Sequence, residues 1–172
     1  MQGSDGPKKI LFVGSNNTLN IKGIHWFLQG PWLTIRNAIP GITLHVCGSI
    51  CDGIRVDDTQ VILLGRVEDL SGEYRKATVV IVPMTEGTGL NIKLVEAASF
   101  GKAIIATPCV LNGGPMFRGS ILVGEATQEF SGHAIAAILD INLRKHLEGA
   151  ALSVVKEHLS PEACYAHLIE QT

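Results

Sequence analysis

Residues 83–98 read Pro83-Met-Thr-Glu86-Gly-Thr-Gly-Leu-Asn-Ile-Lys93-Leu-Val-Glu96-Ala-Ala98 and join the end of an apolar strand to the start of a helix. A helix start offers unpaired backbone N–H groups and the positive end of the helix dipole, so it favours a phosphate. Glu86, Lys93 and Glu96 flank this start. A carboxylate accepts hydrogen bonds from sugar hydroxyls, and a lysine pairs with a phosphate. The segment therefore predicts a site for a nucleotide diphosphate-sugar.

Short apolar runs rich in Val and Ile alternate with helical patterns. The predicted strands are 10–13, 42–47, 61–64, 78–82, 103–106 and 121–123; the predicted helices are 26–38, 69–77, 91–100 and the chain from 127 onward, with breaks at Gly30-Pro31 and near Ser160-Pro161. Asp69 or Ser71 is expected to cap the second helix and Gly101 to end the third. Strands that are apolar on both faces are typical of parallel sheets. We predict an α/β, Rossmann-like, doubly wound parallel sheet of about six strands with C-terminal helices.

Composition limits the function further. The chain has 172 residues, 46% apolar and 17% charged, which fits one folded domain. A net charge of −2 provides no basic field for nucleic acid or for an anionic membrane. No apolar run is long enough to insert in a membrane. We expect residues 1–9 to be a flexible leader without the apolar core of a signal peptide, and residues 10–172 to be the domain.

The cysteines and histidines show no pattern of a metal site. Cys47 and Cys51 form the only close pair, whereas Cys109 and Cys164 are far from them in sequence, and the six histidines are scattered. A structural zinc site usually needs four clustered ligands. We therefore expect no metal, reduced thiols and a cytoplasmic location.

Motifs of several rival functions are missing. Gly87-Thr-Gly89 lacks the third glycine of a dinucleotide fingerprint and follows the fourth strand instead of the first. No phosphate-binding Walker loop and no nucleophile elbow occur. The first strand ends at Gly14-Ser15-Asn-Asn17, without the acidic residues of a phosphorylated receiver domain. Dehydrogenase, NTPase, hydrolase and receiver functions are therefore disfavoured.

The order and spacing of several segments resemble a known family. These segments are 10–14, 26–27, 39–48, 61–70, 74–83, 86–96 and 101–107. From about Ile10 to about Leu168, the chain resembles the carboxyl-terminal, donor-binding half of GT-B glycosyltransferases of family 4 (glycosyl transferases group 1). That retaining group includes sucrose synthases and many bacterial enzymes of polysaccharide biosynthesis.

The resemblance implies a role for each matching residue. It assigns donor-sugar contact to Glu86, the ribose hydroxyls to Glu96 and neutralisation of the diphosphate to Lys22. It assigns the base to Arg66 and Val67, and diphosphate-binding N–H groups to Gly87, Thr88, Gly89 and Leu90. Gly14 and Ser15 follow the first strand, and the carboxyl ends of parallel strands form the ligand crevice, so we expect them to line it.

The motif departs from the usual family pattern in two ways. Nine residues separate Glu86 from Glu96, where the family usually has seven. A subgroup reading G-T-G-x-x-x-K-x-x-E-A fits better, which makes Lys93 a second phosphate ligand and, with Glu86, a candidate catalytic residue. The arginine often found after the first strand is replaced by Ser15. Plain structural readings also stay open: Lys93 and Glu96 as a helical surface pair, and Glu86, Lys22 and Arg66 as solvated residues.

The expected activity is transfer of a sugar from a UDP- or GDP-sugar to an acceptor, without metal or other cofactor. The resemblance implies that an amino-terminal acceptor domain of the same polypeptide is missing, so this domain alone should be inactive. Two alternatives remain: a non-catalytic sugar-nucleotide-binding or assembly module, and a sugar-nucleotide epimerase of the same fold. Residues 112–115, Asn-Gly-Gly-Pro, are either a lid or a turn.

Overall fold

The computed structural model describes residues 6–159 and contains one parallel sheet within them. Its strands are β1 (Lys9–Val13), β2 (Thr43–Cys47), β3 (Val61–Gly65), β4 (Val79–Val82), β5 (Ile104–Ala106) and β6 (Leu122–Val123). The order across the sheet is β3-β2-β1-β4-β5-β6, and every neighbouring pair is parallel. The predicted Rossmann-like sheet of six strands is confirmed. The break near Ser160-Pro161, Cys164 and residues 1–5 of the expected leader lie outside the described residues.

Helices connect the strands and cover both faces of the sheet. They are α1 (Thr18–Gln29), α2 (Pro31–Ala38), α3 (Leu70–Lys76), α4 (Ile92–Ser99), α5 (Val110–Gly113), α6 (Thr127–Leu139) and α7 (Ile141–His158), with short 3-10 turns at Ser49–Asp52 and Pro115–Phe117. Within residues 6–159, no helix is both long enough and apolar enough to cross a bilayer.

Helix caps explain where the predicted boundaries were right and wrong. The predicted break at Gly30-Pro31 is present, because α1 ends at Gln29 and α2 begins at Pro31. The predicted Asp69 cap is also present, and Asp69 accepts a hydrogen bond from the Gly72 N–H. The predicted start of the first helix at Trp26 was wrong, because α1 begins at Thr18, where Asn17 accepts from the Asn20 N–H. The single C-terminal helical pattern is two helices, because Asp140 caps a new start and accepts from two backbone N–H groups.

Alternate residues of β1 supply two separate cores. Ile10 and Phe12 pack on one face with residues of α1, α2 and α6, whereas Leu11 packs on the other with residues of α3, α4 and α7. Each of these three side chains is at most 1% exposed. Because side chains alternate along a strand, a strand apolar at every position is stable only when both faces are covered.

The sheet order reverses direction between β1 and β4, which is where open α/β sheets form their ligand crevice. Two glycines allow backbone segments to approach each other closely beside this crevice. A Cβ on Gly48, whose φ is +104°, would lie 2.1 Å from the Gly14 carbonyl oxygen, and one on Gly23 would lie 2.2 Å from the Pro83 carbonyl oxygen. The first contact joins the ends of β1 and β2, and the second presses α1 against the end of β4.

We expect Gly23→Ala to lower the free energy of unfolding by about 1–3 kcal/mol, because the added methyl overlaps a buried backbone carbonyl and α1 must move. Gly132→Ala in α6 is the matched control, since a Cβ there meets nothing within 4 Å. The control should raise stability by about 0.5–1 kcal/mol. Denaturant unfolding measures both. Equal stability of the two variants would show that α1 does not depend on this approach.

Candidate functional site

A cavity of about 790 Å³ opens at the carboxyl ends of β1, β2 and β4. Four segments form its wall: the β1–α1 loop with the first turn of α1, the end of β2, the β4–α4 loop with the start of α4, and the start of α5. Its lining residues are 13–15, 17, 19, 20, 48, 49, 84, 86–93, 109 and 110. The cavity therefore occupies the crevice that the reversal in strand order creates.

The cavity brings together eight of the predicted site residues and leaves four outside its wall. Those in the wall are Gly14, Ser15, Glu86, Gly87, Thr88, Gly89, Leu90 and Lys93. Those outside are Lys22, Arg66, Val67 and Glu96. The roles assigned to all twelve remain predictions.

The β4–α4 loop presents a run of free backbone donors. No N–H group from Gly87 to Lys93 donates to a protein acceptor within residues 6–159. The side chain of Asn91 caps α4 by accepting from the Leu94 N–H, so the donors before Leu94 stay available. Such groups at a helix start form an anion site.

Lys93 adds a positive charge to this loop. Its half-buried side chain donates to Oδ1 of Asn20 at 2.5 Å, and no carboxylate of the described chain lies within 4.0 Å of its Nζ. Burial lowers the pKa of Lys93 from its ordinary value. A cation in the first turn of a helix also opposes the helix dipole. A bound anion would relieve both unfavourable effects, so the site is electrostatically prepared for one.

Glu86 and Lys22 pair with each other at the rim of the cavity. Lys22 Nζ lies 2.9 Å from Glu86 Oε1, and the two side chains are 55% and 53% exposed. Exposed ion pairs are worth little, about 0–1 kcal/mol, so either side chain can exchange its partner for a ligand. The sequence predicted both residues as ligands but gave no sign of this pair.

Glu96 is held by a residue that sequence reasoning missed. The fully buried Tyr74 donates its hydroxyl to Glu96 Oε2 at 3.0 Å, and its ring stacks on Phe100 with centroids 4.6 Å apart. Burial, together with the charge of Glu96, raises the pKa of Tyr74, so the phenol stays protonated and donates. Lys93 and Glu96 are not within ion-pair distance, so the plain helical surface pair does not form.

The loop after β3 does not reach the cavity wall. Arg66 is exposed, and Val67 is half-buried against the core that contains Tyr74. Their predicted role in facing the base finds no support in this placement. This role was implied by the family resemblance and by the position after a strand, and neither fixes the direction of a side chain.

The segment after β5 packs against the β4–α4 loop. Thr107 Oγ1 and Cys109 Sγ both donate to the Met84 carbonyl, the latter at 3.0 Å. A Cβ on Gly113 would lie 2.1 Å from the Gly89 carbonyl carbon. The segment 112–115 is therefore the end of α5 and the start of a 3-10 turn, in backbone contact with the loop.

Within residues 6–159, no three His, Cys, Asp or Glu side chains come together in a way that could hold a metal ion.

Solved structures with this fold include proteins that are longer than this chain. HepE from Anabaena, solved in complex with UDP-glucose, is 14% identical with a TM-score of 0.75 over 98% of this chain and 49% of its own. A TarM variant from S. aureus, solved with UDP, is 12% identical with a TM-score of 0.78 over 95% of this chain and 35% of its own. The C-terminal domain of LpcC from Francisella tularensis is 19% identical with a TM-score of 0.70 over 91% of this chain and 88% of its own. At such identities the likeness concerns the fold.

The chain spans a third to a half of the HepE and TarM structures, but nearly the whole LpcC domain. No curated protein matches the sequence. The model of the family described as glycosyl transferases group 1 matches residues 7–140. The chain therefore belongs to the glycosyl transferases group 1 family.

Proposed function

We propose that this domain binds the diphosphate of a nucleotide-sugar donor in the 790 Å³ cavity and serves a glycosyltransferase that passes the sugar to an acceptor. One observation carries the proposal: the half-buried ammonium of Lys93 has no carboxylate partner in the described chain and lies beside the free N–H groups of residues 87–93. A diphosphate supplies the negative charge and the acceptor oxygens that this arrangement lacks.

The same groups suit the chemistry of transfer. When the bond between sugar and diphosphate breaks, negative charge grows on the departing diphosphate. Donors fixed before the reaction stabilise such charge without reorganisation. Lys93 would stabilise the leaving diphosphate together with the N–H groups of Gly87, Thr88, Gly89 and Leu90. Glu86, at the cavity rim, would contact the donor sugar, and Lys22 beside it would help neutralise the phosphates.

The nucleoside would extend from the cavity along α4. Glu96 lies one turn after Lys93 on the same side of the helix. Tyr74 holds its Oε2, and Oε1 has no partner within residues 6–159, so it can accept from a ribose hydroxyl. UDP is our preferred nucleotide because HepE and TarM, which share the fold, were solved with UDP-glucose or UDP. Arg66 and Val67 would face the base only if the β3–α3 loop moves inward.

Full activity would require a second domain. The HepE and TarM structures are two to three times as long as the part this chain covers. We propose that an amino-terminal domain of the same polypeptide supplies the acceptor site, and that the reaction needs no metal ion. Polysaccharide biosynthesis in the cytoplasm is the setting that the family resemblance favours.

A non-catalytic sugar-nucleotide module is the second candidate, and Ser15 is the observation that favours it. Ser15 lines the cavity where related transferases often carry an arginine, and its hydroxyl accepts from Asn17 and Asn20. This wall of the cavity therefore lacks one cation, which weakens the stabilisation of a leaving group more than it weakens binding.

Calorimetric titration with UDP and with uridine tests the donor site. We expect UDP to bind at least about tenfold more tightly than uridine, because only UDP carries the diphosphate. Lys93→Met should weaken UDP binding by about 10- to 100-fold, the effect of losing a charge-assisted hydrogen bond, and leave uridine unchanged. Lys145→Met, an exposed lysine of α7, is the control. Equal affinities for UDP and uridine would contradict the proposal.

A transfer assay separates the two candidate functions. We expect the 172-residue chain to bind a UDP-sugar without transferring it, and the chain joined to an amino-terminal acceptor domain to release UDP in the presence of acceptor. Transfer by the 172 residues alone would contradict the need for a second domain. Binding without transfer by the two-domain protein would establish the non-catalytic module.

A further inference from the structure

Asn20 is a buried polar residue of the cavity that neither the motif nor the family match singles out. It lies in the first turn of α1 and is 2% exposed. Its Oδ1 accepts from Lys93 Nζ at 2.5 Å, and its Nδ2 donates to the Ser15 carbonyl at 2.9 Å. One amide therefore joins the β1–α1 loop to the lysine at the start of α4.

The orientation of this amide follows from its neighbours. An ammonium group only donates and a carbonyl only accepts, so Oδ1 must face Lys93 and the NH₂ group must face Ser15. The Ser15 carbonyl also receives the Asn17 N–H at 2.9 Å, which fixes the loop on its other side. Lys93 thus meets an acceptor whose position is set by the backbone of the β1–α1 loop.

The chemical type of the acceptor matters as much as its place. A carboxylate at this position would orient the ammonium equally well but would cancel its charge. An amide oxygen orients the ammonium and leaves the net charge of the pair at +1. Among the described residues, Glu86 is the only carboxylate in the cavity wall, and it is engaged by Lys22 at 2.9 Å. The Lys93 charge therefore stays available to an anion in the cavity.

We propose that Asn20 is a positioning residue for the donor diphosphate: it fixes the direction of the Lys93 ammonium and, being neutral, preserves the charge that attracts the anion. This inference rests on the proposed function. The lowered pKa of Lys93, which burial causes, agrees with an ammonium that has no compensating charge. Asn20 acts through Lys93 and does not itself bind the phosphates.

Two substitutions of Asn20 separate charge from shape. Asn20→Asp keeps the size and the acceptor for Lys93, loses the hydrogen bond donated to the Ser15 carbonyl, and adds a negative charge beside Lys93. Asn20→Ala removes the acceptor and keeps the charge of the site. We expect Asn20→Asp to weaken UDP binding by at least about tenfold and uridine binding by less than about twofold, because only UDP is repelled by the new charge. Asn20→Ala should weaken UDP binding less than Asn20→Asp does.

A purely structural role predicts no difference between the two ligands. Each variant would then weaken the binding of UDP and of uridine by the same factor, and that result would overturn the inference. Thermal melting tests whether both variants fold. If Asn20→Ala fails to fold, Asn20→Asp alone tests the inference, because the inference predicts a larger loss of affinity for UDP than for uridine.

The dependence on Lys93 is tested in a second background. Adding Asn20→Ala to Lys93→Met should produce no further loss of UDP affinity, because the residue that Asn20 positions is already absent. A further loss would overturn the inference while leaving the donor site intact. If the unmodified chain binds UDP no better than uridine, the proposed function fails first, and the inference fails with it.

Discussion

The close approach of α1 to the end of β4 is the contact on which the site depends. Gly23 lets the helix backbone lie against the Pro83 carbonyl, where a side chain would meet it at 2.2 Å. Asn20 is one turn earlier on α1, and the glycine-containing loop begins just after Pro83. The approach therefore brings Asn20 to Lys93, although 73 residues separate them in sequence. Without it, the two helix starts would not face one cavity.

The polar groups of the cavity wall include more hydrogen-bond donors and positive charge than negative charge. Backbone N–H groups and Lys93 predominate along the β4–α4 loop and the start of α4. The one carboxylate that residues 6–159 place in the wall, Glu86, already has a partner. The loop is exposed, so water satisfies these donors in the free chain, and a ligand that displaces the water must replace its acceptor oxygens. A ligand rich in acceptor oxygens is the simplest way to satisfy them. The fold supplies the place, and the arrangement of charge selects the ligand class.

Much of the fold could be predicted from the sequence because the strands are short, apolar runs with clear ends. Pro83 stops β4, Pro31 restarts the helix after Gly30, and Gly101, at φ +64°, ends α4. The missed boundaries at Thr18 and Ile141 depend on Asn17 and Asp140 as caps. Both residue types are also common in loops, so the sequence alone did not show which role they take.

The site could be predicted only where it is local in sequence. The motif from Glu86 to Lys93 forms one wall, as its pattern indicated. The contacts of Asn20 with Lys93 and of Tyr74 with Glu96 were missed, because each joins residues from different helices. Hydrophobic periodicity places a helix against the sheet but does not specify which polar ends meet across it. Arg66 shows the same limit, because a position after β3 fixes the edge of the sheet but not whether the exposed side chain faces the cavity.

A crystal structure of this chain with UDP would show whether the diphosphate binds at the start of α4. We expect the diphosphate to lie at the start of α4, within hydrogen-bond distance of Lys93 Nζ and of N–H groups between Gly87 and Lys93, with the ribose hydroxyls on Glu96. A diphosphate bound elsewhere on the domain, with Lys93 still bonded to Asn20 alone, would contradict it.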